Sequence, residues 1–332
     1  MAKTKYKKIF VIGSNSFSAG SLIYFLLKKK YKVYAFSRSK INNREFLRFN
    51  PANSNFNFKV IDLNKNLKKL IKLIKKEKPN YIINYASQSM VDQSWEKPAD
   101  WFYTNSYSLV NFYDQLSKFK FKFKLVHIST PEVYGSLTSF VKETNNYNPT
   151  TPYAVSRVTA DQYLNIINQK SNLNFNIVRA SNVYGEFQRI YKIIPRVIYC
   201  ILKNKNIELH GGGLSMRNFI HIDDVSIATL KVLERGKSQE TYHISGNKII
   251  SIRDLVKKIC IMMNYDYKKL VLNTSDRLGK DKYYKISNSK LKKELSWKEE
   301  ISLEDGLKKT ILWMKDNINF FKKKDENYFH KR

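Results

Sequence analysis

Tyr153 and Arg157 stand one helical turn apart in "YAVSR". A phenol titrates near pKa ~10, so a tyrosine that takes up protons near neutral pH must fall by about 3 units, roughly 4 kcal/mol. A cation at i+4 lies on the same helix face and supplies part of that shift. The usual cation in such a pair is Lys; Arg157 keeps the charge but not the compact ammonium. Upstream, "STPEVYG" adds the hydroxyl of Thr130 and the carboxylate of Glu132. Together these groups form a phenol base, a hydroxyl partner and a second proton carrier.

Such groups meet only if strands deliver them to one sheet edge. "KKIFVIG", "KVYAF", "NFKVIDL", "NYIINYAS", "FKLVHIST" and "FNIVRASNVYG" are short, near-continuous apolar runs. They alternate with helical periodicity in "SLIYFLLKKK" and around 65–77, 104–118 and 153–170. Fully apolar strands between helices predict an α/β fold, a Rossmann-type doubly wound parallel sheet. Beyond Gly185 the rhythm changes. We expect a dinucleotide-binding domain over 1–182 that takes back about 218–245, and a smaller C-terminal α/β substrate domain over 183–332. The tail "KKKDENYFHKR" reads as frayed. Open sheets bind ligands beyond the carboxyl ends of their strands, which singles out Gly13, Asp62, Ala86, Ser129 and Asn182.

The loop "GSNSFSAG" joins the first strand to its helix, the setting in which backbone N–H groups receive a pyrophosphate. Gly13 is present, but Ser16 and Ala19 stand where a G-x-x-G-x-x-G spacing puts glycines; Phe17 and Ser18 complete the turn. An ordinary tight turn is the competing reading. After the second strand, NAD enzymes place an acid on the ribose. Here Arg38 stands instead, a side chain suited to a 2′-phosphate, although a surface arginine is the competing reading. The cofactor expectation is therefore NAD or NADP, leaning to NADP. Asp62 and Leu63 would face the adenine, and the small Ala86 and Ser87 leave room for the cofactor.

The chain carries a net charge of +32, which raises nucleic-acid binding. The lysines are spread along its length, and "NKNLKKLIKLIKKEK" sets them on one face of an amphipathic helix, so a general compositional bias explains them better. Two distant cysteines, Cys200 and Cys260, and five scattered histidines give neither a disulfide framework nor metal-ligand spacing, and point to a reducing cytoplasm. No apolar run reaches the roughly 18 residues of a membrane span.

In order and at matching spacing, "YASQSMVDQSWEKP", "HISTPEVYG", "NPTTPYAVSRVTADQYL", "RASNVYG", "KIIPRVI" and "HGGGLSMRNFIHIDD" resemble the extended short-chain dehydrogenase/reductase family. Within it they resemble the NAD(P)-dependent epimerases and dehydratases, most of all the dTDP-glucose 4,6-dehydratases, from about Lys8 to Trp313. The resemblance implies a nucleotide-sugar 4,6-dehydratase acting by transient C4 oxidation. Tyr153 would take the 4-hydroxyl proton, Thr130 would bind that oxygen, and Glu132 would remove the C5 proton. Asn105 would lie near the cofactor. Gln88, Asn182, Lys192, Arg217 and Arg277 would hold the nucleotide-diphosphate sugar. A homodimer packed through 104–118 and 153–170 is also implied.

Two residues depart from the pattern. Pro131 replaces the aspartate that protonates the departing 6-hydroxyl, leaving Glu132 to act as both base and acid, as the resemblance to GDP-mannose dehydratases suggests. Arg157 replaces Lys. An epimerase or decarboxylase on the same fold, and a weakly active cofactor-binding structural or regulatory protein, stay open at this point.

Overall fold

The computed structural model describes residues 6–136, 139–275, 285–321, 326, 328 and 330 of the 332. In chain order the first half runs β1 (Lys8–Ile12), α1 (Phe17–Lys28), β2 (Lys32–Ser37), β3 (Phe56–Val60), α2 (Leu67–Glu77), β4 (Tyr81–Asn84), α3 (Val91–Glu96), α4 (Pro98–Phe102), α5 (Leu109–Ser117), β5 (Lys124–Ile128), α6 (Pro152–Ile167) and β6 (Phe175–Ala180). The second half runs β7 (Asn182–Tyr184), α7 (Ile193–Leu202), β8 (Ile207–His210), β9 (Met216–His221), α8 (Ile222–Arg235), β10 (Glu240–Ile244), β11 (Ile249–Ser251), α9 (Ile252–Met262), α10 (Tyr267–Leu270), β12 (Val271–Thr274), α11 (Ser289–Leu295) and α12 (Leu303–Asp316).

Seven strands form one parallel sheet in the order β10-β6-β5-β4-β1-β2-β3. The apolar runs explain why both faces are covered. In β1, Ile9 and Val11 enter the core shared with α1 and α8, while Phe10 and Ile12 enter the opposite core with α2, α5 and α6. Each such side chain contributes about 1.5–3 kcal/mol on burial. The strand order reverses between β1 and β4, which opens the cleft where such sheets bind ligands. On α2, Leu70, Ile71 and Ile74 pack inward, and its lysines line the outer side, as the helical spacing predicts.

The sixth apolar run is not one strand. It breaks at Ser181, and β7 leaves the large sheet to pair with β9, which also carries β11. A second core forms around α7, α9 and α12, with Ile198, Leu255, Ile259 and Leu307 fully buried. The chain returns to the first core through α8 and β10, which closes the sheet edge beside β6. The tail is not frayed at its described residues. Glu326 accepts hydrogen bonds from Arg196 (3.1 Å) and Tyr199 (3.0 Å), and His330 stacks on Trp101 and bonds Asp100 at 2.8 Å. Among the described residues, no helix is long and apolar enough to cross a membrane.

Candidate active site

Gly13 lies at the reversal point with φ +78°, and a Cβ there would come within 2.5 Å of the Ala86 nitrogen on β4. Only glycine fits this crossing, whereas Ser16 is exposed and caps α1 by accepting from the Ala19 N–H at 3.3 Å. Among the described residues, the buried Ser14 hydroxyl has no hydrogen-bond partner. It sits beside a helix N-terminus that favours negative charge, so the residues present fit the pyrophosphate of a dinucleotide. The "S" after Gly13 was open to view, but only the backbone path shows it to be the inward residue of the loop. Phe17 and Ser18 begin α1 and are half-buried.

Arg38 follows β2 as an exposed side chain and hydrogen-bonds Tyr328 of the tail. Asp62 folds its own loop, accepting from Asn64 N at 2.9 Å, with Leu63 buried beside it. Ala86 and Ser87 are half-buried beyond β4. Asn105 is fully buried in a π-helical turn, Tyr103–Ser108. Its amide accepts from Gln88 N (2.9 Å) and donates to Gln88 O (3.0 Å) and Ser156 Oγ (3.0 Å). Both of its polar ends thus tie the end of β4 to α6. Such π turns recur at functional sites.

The catalytic candidates converge. Thr151 caps α6 by accepting from Ala154 N at 3.1 Å, Pro152 takes the first helical position, and Tyr153 follows. The Tyr153 N–H donates to Ser94 Oγ at 3.2 Å, and its hydroxyl hydrogen-bonds Thr130. Glu132 lies one residue past Pro131 in the short helical turn Pro131–Tyr134. Gly135 ends that turn with φ +69°, and a Cβ there would meet Asn148 O at 2.2 Å, so the loop leading into α6 closes directly over Glu132's turn.

The tyrosine is not acidified by the protein. Burial and the nearby Glu132 carboxylate push it up to about 12, against the smaller lowering effects of Arg157 and the Thr130 hydrogen bond. The Coulomb effect of Arg157 has the lowering sign expected of a cation at i+4, and in the protein alone burial outweighs it. Arg157 is only 2% exposed and donates through Nη2 to the Ile128 carbonyl at the end of β5. Its guanidinium is turned into the sheet.

Beneath it lies a buried network that sequence reasoning missed. Asp161, two turns beyond Tyr153, accepts from Ser129 Oγ (2.6 Å) and Arg179 Nη2 (2.8 Å) and stands 3.1 Å from His127 Nε2. Burial raises a carboxyl, but Arg179, His127 and Ser129 hold Asp161 far below the usual range. A carboxylate at i+8, on the helix face that Tyr153 and Arg157 share, was the available signal.

In the second half, Asn182 opens β7, and Arg217 lies in β9 with Nη1 donating to Met216 O at 2.8 Å. Lys192 precedes α7, with Nζ 3.6 Å from Met90 Sδ and its charge coupled to Glu132 and Asp92. Burial pushes its ammonium below the ordinary lysine value, and the two carboxylates act in the opposite direction. Arg277 lies outside the described residues. Among those described, no group of three or more His, Cys, Asp or Glu is placed to hold a metal ion.

Known proteins resemble this chain along most of its length. Residues 10–310 match the family model described as GDP-mannose 4,6 dehydratase. The chain is 31% identical over 255 residues to a probable dTDP-glucose 4,6-dehydratase of Sinorhizobium fredii, covering 72% of this chain and 73% of the relative. It is 30% identical over 327 residues to dTDP-D-glucose 4,6-dehydratase of Mus musculus, covering 95% and 91%. The solved dTDP-glucose 4,6-dehydratase DesIV of Streptomyces venezuelae, with NAD bound, superposes with a TM-score of 0.88 at 26% identity, covering 95% of this chain and 98% of that one. The fold is shared more widely, as with UDP-glucose 4-epimerase of Thermotoga maritima (TM-score 0.86, 23% identity, 94% and 99% covered).

Proposed function

The chain belongs to the GDP-mannose 4,6-dehydratase family of extended short-chain dehydrogenases/reductases, and on that premise we propose that it is an NAD(P)-dependent nucleotide-sugar 4,6-dehydratase. The observation that carries the reading is the meeting of Tyr153, Thr130 and Glu132 on one rim of the cleft. NAD(P), which the loop from Gly13 to Ser18 would hold, would supply the hydride chemistry between C4 and C6. Tyr153 takes the 4-hydroxyl proton while Thr130 holds the same oxygen. The resulting ketone acidifies the C5 hydrogen, and Glu132 removes it. The order matters, because that proton is hard to remove until the neighbouring carbon is a carbonyl.

For the cofactor we favour NADP, through Arg38 at the end of β2, although the similar solved dehydratases hold NAD. Gln88, Asn182, Arg217 and Arg277 remain our candidates for the nucleotide-diphosphate sugar, with residues 183–332 as the substrate half. A homodimer through α5 and α6 is supported by exposed Tyr103, Tyr107, Val155 and Ile166 on that side. A reducing, cytoplasmic setting suits the free, buried Cys200 and Cys260.

The test incubates the purified protein, loaded with NAD or NADP, with dTDP-, UDP-, CDP- and GDP-hexoses and reads products by mass spectrometry. Loss of one water without net cofactor consumption is expected with one of them. An isomer of unchanged mass, or loss of carbon dioxide from a uronate, would overturn the dehydratase reading.

A further inference from the structure

We propose that Lys192 is the general acid that gives a proton to the departing C6 oxygen. The proposal rests on the dehydratase reading and completes it at the point where this chain lacks a residue. Hydroxide is a poor leaving group, so the oxygen must be protonated as it departs. Pro131, the neighbour of Glu132, has no proton to give. Thr130 and Tyr153 are bonded to each other and engaged at the 4-oxygen.

Lys192 reaches the same rim from the other half of the molecule. Its backbone is fixed just before α7, with its N–H on Arg189 O at 3.1 Å. Its side chain passes Met90, with Nζ 3.6 Å from the sulfur, and lies beside the Tyr191 ring at 5.7 Å. Two carboxylates act on its charge, Glu132 of the catalytic turn and Asp92 of α3, the helix whose Ser94 Oγ accepts from the Tyr153 N–H at 3.2 Å. That setting disfavours a phosphate, which the carboxylates repel. It suits an ammonium that releases a proton more readily than a solvated lysine, because burial weakens its hold.

The step balances. Glu132 takes the C5 proton, and the C5–H electron pair forms the C5–C6 double bond. The C6–O bond breaks with its pair on oxygen, which takes the Lys192 proton and leaves as water. Hydride then adds to C6, and the Glu132 proton returns to C5. Tyr153 still holds the 4-hydroxyl proton. Its release to solvent matches the proton that Lys192 recovers, so every group ends as it began.

The test compares wild type, Lys192→Met and Lys192→Arg in D2O, using the nucleoside-diphosphate glucose that the wild type dehydrates and its 6-deoxy-6-fluoro analogue. Fluoride departs with far less help from an acid. In Lys192→Met, water loss should slow by about 10²–10⁴-fold, the range for a lost general acid. The C5 hydrogen should still exchange for deuterium, fluoride loss should stay within a few-fold of wild type, and KM should change little. The double variant Lys192→Met/Pro131→Asp should regain water loss. Fluoride loss and C5 exchange falling together with water loss, or a rise in KM alone, would overturn the proposal and return Lys192 to substrate binding. Full water loss in Lys192→Met would overturn it while leaving the dehydratase reading intact. A wild type that releases water from none of the dTDP-, UDP-, CDP- and GDP-hexoses would overturn both.

Discussion

Helix α6 carries two clusters of ionisable side chains, and they treat burial in opposite ways. On its first turn, Tyr153 meets Thr130 and Glu132, with Lys192 opposite. Two turns later, Asp161 meets Ser129, His127 and Arg179. In the lower cluster the desolvation cost is offset by hydrogen bonds and opposite charge. Asp161 stays ionised, and Arg179 is held more firmly protonated than a free arginine. In the upper cluster the cost is not offset: Tyr153 is pushed up and Lys192 down, each toward its neutral form. Fully paired buried charges make a rigid frame. Groups whose proton affinities burial displaces from their ordinary values, beside specific charges, are the ones that can exchange protons with a substrate.

The largest effect should come from breaking the upper cluster. Tyr153→Phe removes only the hydroxyl. Turnover should fall by about 10³-fold or more, within the range for a lost proton-transfer group, with thermal stability and cofactor retention nearly unchanged. Steady-state kinetics beside a melting curve checks this, and near-normal turnover would end the role given to Tyr153.

The lower cluster should respond in the opposite manner. Asp161→Asn leaves Arg179 buried without its counter-charge, and breaking a buried pair from one side costs about 3–5 kcal/mol. Urea unfolding should show that loss in its midpoint. A variant as stable as wild type would erase the distinction between frame and reactive rim.

The same contrast marks how far the sequence could be read. The sheet, its switch point and the meeting of Thr130, Glu132 and Tyr153 follow from apolar runs and from the rule that ligands sit at strand ends. Those are local patterns and they survive folding. Three features depend on long-range packing. Lys192 comes within electrostatic range of Glu132 only through the excursion that begins where β7 leaves the large sheet to pair with β9. Arg157 shares Tyr153's helix, but its rotamer is decided by a carbonyl acceptor on β5. The tail looked too polar to hold, yet Glu326 finds three basic or phenolic partners at Arg196, Tyr199 and Lys205. Likewise the sign of Arg157's effect on Tyr153 was legible from spacing, while the burial that outweighs it belongs to the folded chain.

The smallest effect tests how Tyr153 comes to ionise. The protein alone holds it near pKa 12, so the shift needed for catalysis must come from a positive charge that arrives with the cofactor, the oxidised nicotinamide ring. Linkage fixes the sign. If NAD+ lowers the tyrosine's pKa, then ionised Tyr153 binds NAD+ more tightly, by the same factor. Between the cofactor-bound pKa and the raised free value, NAD+ affinity must therefore increase with pH, by up to about tenfold per unit, or roughly 1.4 kcal/mol. Below the bound-state pKa the phenol is neutral in both forms and the dependence disappears. NADH lacks the ring charge and should show no such rise, and Tyr153→Phe should remove it for NAD+. Calorimetric titrations at pH 7, 8 and 9 read this directly. A rise that persists in the Phe variant would assign the pH dependence to another group, and equal slopes for NAD+ and NADH would mean that the ring charge does not reach Tyr153.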